Sequence, residues 1–174
     1  MSIVKVIFID DNYIYQNYPL PKRLDRQNLL SIITMEQVTS IQDLLGTTLY
    51  EDLEQKVFDE SLTEAEAALF KLVKYSLCLY AVRGAVALLR SSVGSTKAEE
   101  KSLDQYSLDG ISNAIDSKIG YINQRIVNYI KADATLLAKA QESDNDLYNE
   151  DDAYQSSIYY PTIVIDDECT DSNV

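Results

Sequence analysis

The stretch from Glu64 to Arg90 constrains this chain most, because it reads as one long helix that is apolar around most of its circumference. Thr63 followed by Glu66 makes a capping-box start. Ala68, Leu72, Tyr75, Leu79, Val82, Val86 and Leu89 form a stripe at steps of three and four, thickened by Leu69, Val73, Leu77 and Tyr80. From Leu77 onward nearly every side is apolar, so the helix belongs at the centre of a bundle or at a subunit contact. Gly84 predicts a close crossing by another helix, and Arg83 is expected to reach a carboxylate across an interface or to snorkel to the surface. A second long helix is predicted from Leu108 to Lys131. There Leu108, Ile111, Ile115, Ile119, Ile122, Ile126 and Tyr129 lie opposite Asn113, Asp116, Gln124 and Asn128. Such a helix spans roughly 36 Å, and with the first it makes a scaffold for shorter elements. Ala134 to Ala140 extends it or adds one short turn. The polar stretch Ser91 to Tyr106 connects the two and is a candidate for mobility or partner contact.

A helical hairpin is predicted between Thr34 and Phe58. Thr34 with Gln37, and Thr48 with Glu51, each make a capping-box pattern, and Gly46 stands where the first helix must stop. Met35, Val38, Ile41 and Leu45 give one stripe, and Leu49, Leu53 and Val57 the other. So short a hairpin must dock on the long pair. Leu44-Leu45-Gly46 closing one helix, Tyr50 opening the next, then a long apolar helix and a later amphipathic one, resembles the head-tail connector (adaptor or head-completion) proteins of tailed bacteriophages. The resemblance covers Gln27 to Ala140, and Leu45, Gly46 and Tyr50 form its scaffold corner. It implies a structural subunit of a virion neck, made in the host cytoplasm. That subunit would form a ring, expected to be twelvefold, that docks beneath a portal protein, meets other neck or tail proteins and lets DNA pass only as cargo.

Both ends of the chain carry apolar runs. Ile3 to Ile9 reads as a buried strand or as an extended arm lying in a groove, followed by a turn at Asp10, Asp11 and Asn12. Tyr13, Tyr15 and Tyr18 are expected in irregular chain, because Pro19 and Pro21 forbid a helix until about Leu24. The lettering Ile7-Phe8-Ile9-Asp10-Asp11 returns as Ile163-Val164-Ile165-Asp166-Asp167, preceded by Tyr159 and Tyr160. Strands at the two ends are expected to pair, within or between subunits. Ile7, Phe8, Ile9, Tyr159, Tyr160, Ile163, Val164 and Ile165 are therefore the candidate subunit or partner contacts. The expected organisation is an N-terminal arm over residues 1–26, a mainly α domain over 27–140, and an acidic tail over 141–174 with a short strand near 158–165.

Charge and composition narrow the function. Of the net charge of -13, the tail from Gln141 contributes -10 with no Lys or Arg, leaving -3 for the rest. A basic surface that grips DNA is disfavoured. The tail reads as a solvated C-terminus, or as an arm that seeks a basic partner or mimics nucleic acid. The chain has no His, which removes Ser-His-Asp and Cys-His catalysis and every His-containing metal site. Its five glycines stand singly, so no phosphate-binding loop is formed. Cys78 and Cys169 lie far apart and imply no disulfide framework. Asp144, Asp146, Glu150, Asp151 and Asp152 supply oxygen ligands without the spacing of an EF-hand. No cofactor, metal or catalytic residue is expected, and no membrane partner. The run Met1 to Ile9 lacks the features of a signal peptide, and the longest charge-poor stretch, Leu77 to Leu89, is 13 residues long. Two other function classes fit the composition: an acidic module that mimics nucleic acid, and a helical enzyme with a carboxylate-bound metal.

Overall fold

The computed structural model describes residues 6–18, 25–93, 105–143 and 145–148. Described residues are mainly α-helical, with no strand among them. The expected strand near 158–165 and most of the acidic tail lie outside the described residues.

Two long helices form the frame, α5 (Glu64–Val93) and α6 (Gln105–Ala132). Thr63 caps α5 reciprocally: the Thr63 N–H and hydroxyl donate to Glu66 Oε2, both at 3.0 Å, and the Glu66 N–H donates back to Thr63 Oγ1. The helix pair is antiparallel, because Tyr129 reaches the Ala65 carbonyl, Asn123 reaches Ser76 and Tyr80, and Asp116 reaches Arg83. Leu69, Val73, Leu77, Ala81, Val82 and Ala85 on α5 are fully buried, as are Ile115, Ile126 and Ile130 on α6. Leu69, Val73 and Leu77, expected only to thicken the stripe, are thus deeper than Ala68, Leu72 and Tyr75, which are half-buried, as is Tyr80. The reason is that other helices also pack on α5 and shift its most enclosed side. The 26-residue stretch Glu64–Leu89 is long and apolar enough, by length and composition, to cross a membrane. Half of an 18-residue apolar window within it is buried inside the bundle, in keeping with a core helix.

The Thr34–Phe58 expectation needs correction. The chain is helical from Arg26 without a break: α2 (Arg26–Glu36) passes through a π-helical turn (Gln37–Ile41) into α3 (Gln42–Leu45). Thr34 is no cap; its hydroxyl donates to the Leu30 carbonyl at 2.9 Å, as mid-helix threonines do. Burial of Leu29, Ile32 and Ile33 carries the helix upstream of the predicted start. Met35, expected in the buried stripe, is 55% exposed. Gly46 does end the helix, at φ 79° and ψ 151°, and α4 (Thr47–Phe58) follows at once. Thr48 makes no capping box either, since its N–H donates to Ser143 Oγ at 3.3 Å.

Upstream, Tyr13 and Tyr15 stand in a helix rather than irregular chain, and Tyr18 just past its end: α1 (Asp11–Asn17) is capped by Asp10, whose Oδ1 accepts the Tyr13 N–H at 2.8 Å. That bond is the main reason the Asp10 carboxyl titrates below its ordinary range. Helix α2 crosses α5 at Gly84, where a Cβ would stand 2.8 Å from Ile32 Cγ2, so the close approach expected there is present. The polar connection is shorter than expected, as Ser91–Val93 and Gln105–Tyr106 are helical. A last helix, α7 (Ala134–Gln141), is capped by Asp133, whose Oδ1 accepts the N–H groups of Thr135 and Leu136.

Candidate functional site

Two sites of long-range polar contact stand out from this apolar frame. One holds the N-terminal arm. Residues Val6 to Asp10 are non-helical, and they lie on the π-helical turn and α4. The Gln37 carboxamide, which is fully buried, accepts the Phe8 N–H at 2.9 Å and donates to the Val6 carbonyl at 2.8 Å and to Tyr50 Oη at 3.0 Å. Tyr50 in turn donates to Glu54 Oε1 at 3.4 Å, and the Val6 N–H donates to the same oxygen at 3.4 Å. Burial pushes the Tyr50 hydroxyl up to about 12, so it stays a neutral donor. The Phe8 ring packs at 5.7 Å from Tyr50 and edge-on at 5.1 Å from Phe70. Beyond it Asp11 pairs with Arg26, Oδ2 to Nε at 3.1 Å, and the Lys74 ammonium lies over the rings of Tyr13 and Phe70.

The second site locks the Gly46 corner. The carbonyls of Asp43 and Leu44, at the end of α3, are orphaned by the turn at Gly46. They are satisfied from far along the chain: Asn145 Nδ2 donates to Asp43 O at 2.7 Å, and Tyr148 Oη to Leu44 O at 2.9 Å. Ser143 sits under Gly46, and a Cβ there would collide with the Ser143 side chain and come within 3.1 Å of the Ala140 carbonyl. Gly46 is required twice over, for its positive φ and for this contact. A shallow groove of about 340 Å³ opens beside the corner between Val38, Thr39, Gln42, Asp43 and Asn145. On the other side of α4, Lys56 and Lys139 bracket Asp52 and Glu66, with Lys139 Nζ 2.7 Å from Asp52 Oδ2. Burial alone would raise the Glu66 carboxyl. Lys56 and Thr63 outweigh it and hold Glu66 down at about 2.

The sequence-predicted residues divide clearly. Leu45 and Tyr50 are buried at the corner, and Gly46 makes the turn. Phe8 and Ile9 are 6% and 4% exposed within their own subunit, and only Ile7, at 46%, is open to solvent. Val6 to Ile9 thus lie against the chain's own helices; residues 1–5 of the expected Ile3–Ile9 arm lie outside the described residues, as do Tyr159, Tyr160, Ile163, Val164 and Ile165. Gln37 and Glu54 were not singled out as site residues. Their signal was present: each is a polar residue four positions from apolar residues that are buried, Ile33 and Ile41 for the one, Tyr50 for the other. Arg83 pairs with Asp116 of its own chain at 3.6 Å, not with a carboxylate across an interface, while stacking on Tyr80 at 4.8 Å. Cys78 is buried, and burial pushes its thiol up to about 11, far from a reactive range. Among the described residues no group of three or more His, Cys, Asp or Glu is placed to hold a metal ion, and of the expected acidic loop only Asp146 is described. Comparison with protein-family models, with curated proteins and with solved structures found no match.

Proposed function

We propose that this protein is a structural subunit of a head-tail connector, assembling as a ring on a portal protein and joining it to the next neck or tail component. The observation that carries the reading is the scaffold: a helix–Gly46–helix corner docked on two long antiparallel helices, in the same order as in the family that the sequence resembles. The corner is fixed by side chains from 95 to 104 residues away, which suits a module whose surfaces must be presented rigidly to two different neighbours. The arm leaves Ile7 open on the outside of such a module. Its role is architectural, with no chemistry assigned to any side chain.

The test is direct. Mass spectrometry of purified virions should find the chain in neck-containing particles. Mixing it with the portal protein of the same virion should add a ring of density beneath the portal in electron micrographs. Absence from virions together with failure to join the portal would sink the proposal.

A further inference from the structure

The Gln37 carboxamide does for the arm what a neighbouring strand does within a sheet. In an extended chain the carbonyl of one residue and the N–H two residues on point to the same side, and a parallel strand pairs with both. Gln37 Nε2 takes the Val6 carbonyl and Gln37 Oε1 takes the Phe8 N–H, so one side chain replaces a peptide unit of such a strand. It projects from a π-helical turn, a rare local geometry that is frequent at functional positions. Contacts to backbone are indifferent to sequence, and pockets supply the specificity. Here the surroundings read three of four consecutive residues. Phe8 fills the space between Tyr50 and Phe70, Ile9 is buried beside it, and Asp11 meets Arg26, whereas Asp10 caps the arm's own helix α1 and makes no hydrogen bond to a described groove residue. Ile7 faces solvent and imposes nothing. The groove therefore selects apolar-apolar-x-Asp, with the acid met by Arg26.

That pattern occurs a second time in the chain, as Val164-Ile165-Asp166-Asp167 after Ile163. We infer that the Gln37–Tyr50–Glu54 groove is a receptor for apolar-apolar-x-Asp segments, and that the chain's own Ile163–Asp167 is its second ligand, in competition with the resident arm. Val164 is smaller than Phe8 and leaves part of the aromatic pocket unfilled, so the arm is the tighter ligand and the tail the exchangeable one. The inference is independent of the connector reading. It concerns the isolated chain and holds or fails whether or not a ring forms.

The experiment uses a fluorescein-labelled peptide of residues 160–168, titrated with the full chain and read by fluorescence anisotropy. Phe8→Ala in the protein loosens the resident arm and should tighten peptide binding by about tenfold, and Val164→Phe in the peptide should add about tenfold more. Val164→Asp should abolish binding. Equal binding of a scrambled peptide of the same composition overturns the proposal, as does failure of the Phe8→Ala chain to bind while its helical circular dichroism is intact. Should that variant unfold, NMR of the unaltered chain decides. Saturating Val164→Phe peptide must shift the Phe8 amide and the Gln37 side-chain amide, and unmoved resonances overturn the proposal.

Discussion

Along the α5–α6 seam, side chains such as Leu77, Val82 and Ile126 are buried by non-directional apolar contact, interrupted by a few polar contacts such as the Ser76–Asn123–Tyr80 chain, with bonds of 2.8 and 2.7 Å. At the arm groove, two buried polar side chains hold backbone atoms of a segment about thirty to fifty residues away in sequence. The seam draws its free energy from area removed from water, spread over many residues. The groove draws it from a few hydrogen bonds whose partners are costly to leave unmade. Damage to the seam should therefore be felt by the whole molecule, and damage to the groove by the arm first.

The largest expected effect is at the seam. Leu77→Ala should cost about 3 kcal/mol of global stability, read from the midpoint of urea unfolding, with amide exchange accelerated throughout the helices. A loss confined to α5 would show that the seam is not the common core. Glu66→Gln should cost roughly 2 kcal/mol at pH 7, because it removes the buried negative charge that Lys56 and Lys139 share and leaves them only Asp52 as a charged partner. Its sign with pH is set by the lowered carboxyl. The Glu66 contribution is complete above about 4.5 and fades as pH falls through about 2. Acid titration of unfolding should thus show a shallower loss in the variant than in the parent. Parallel curves would remove Glu66 from the acid response.

A smaller and more local effect is expected at the groove. Gln37→Leu leaves the Phe8 N–H, the Val6 carbonyl and the Tyr50 hydroxyl without this partner, and should weaken arm docking by about 2 kcal/mol. Hydrogen exchange at Phe8 should rise some tenfold or more while exchange at Leu77 stays unchanged. If both rise together, groove and seam are one cooperative unit and the contrast between them fails. Tyr148→Phe is the mildest test. It removes the donor to Leu44 O from a hydroxyl that burial keeps protonated, and should cost about 1 kcal/mol.

Sequence periodicity was sufficient for the elements whose stability comes from burying a stripe. The α5 and α6 spans, the Thr63–Glu66 cap, the break at Gly46 and the close crossing at Gly84 all follow from local spacing. Periodicity misled where a short polar pattern has two uses. Thr34-x-x-Gln37 is a capping box when a helix starts there. Here the apolar residues Leu29, Ile32 and Ile33 place the start at Arg26, which frees Gln37 to face the arm. Asp10-Asp11-Asn12 reads as a turn, and becomes a helix cap because Ile14 finds a buried place.

The chain by itself determined that this protein is a helical bundle built on two long helices, because a repeat of 3.6 residues and its apolar stripe are local properties of the letters. Only the tertiary structure decided what Gln37, Glu54, Ser143, Asn145 and Tyr148 do. A hydrogen bond needs its two ends within about 3 Å at a given angle, and no spacing along the chain specifies which residue thirty or one hundred positions away will stand there.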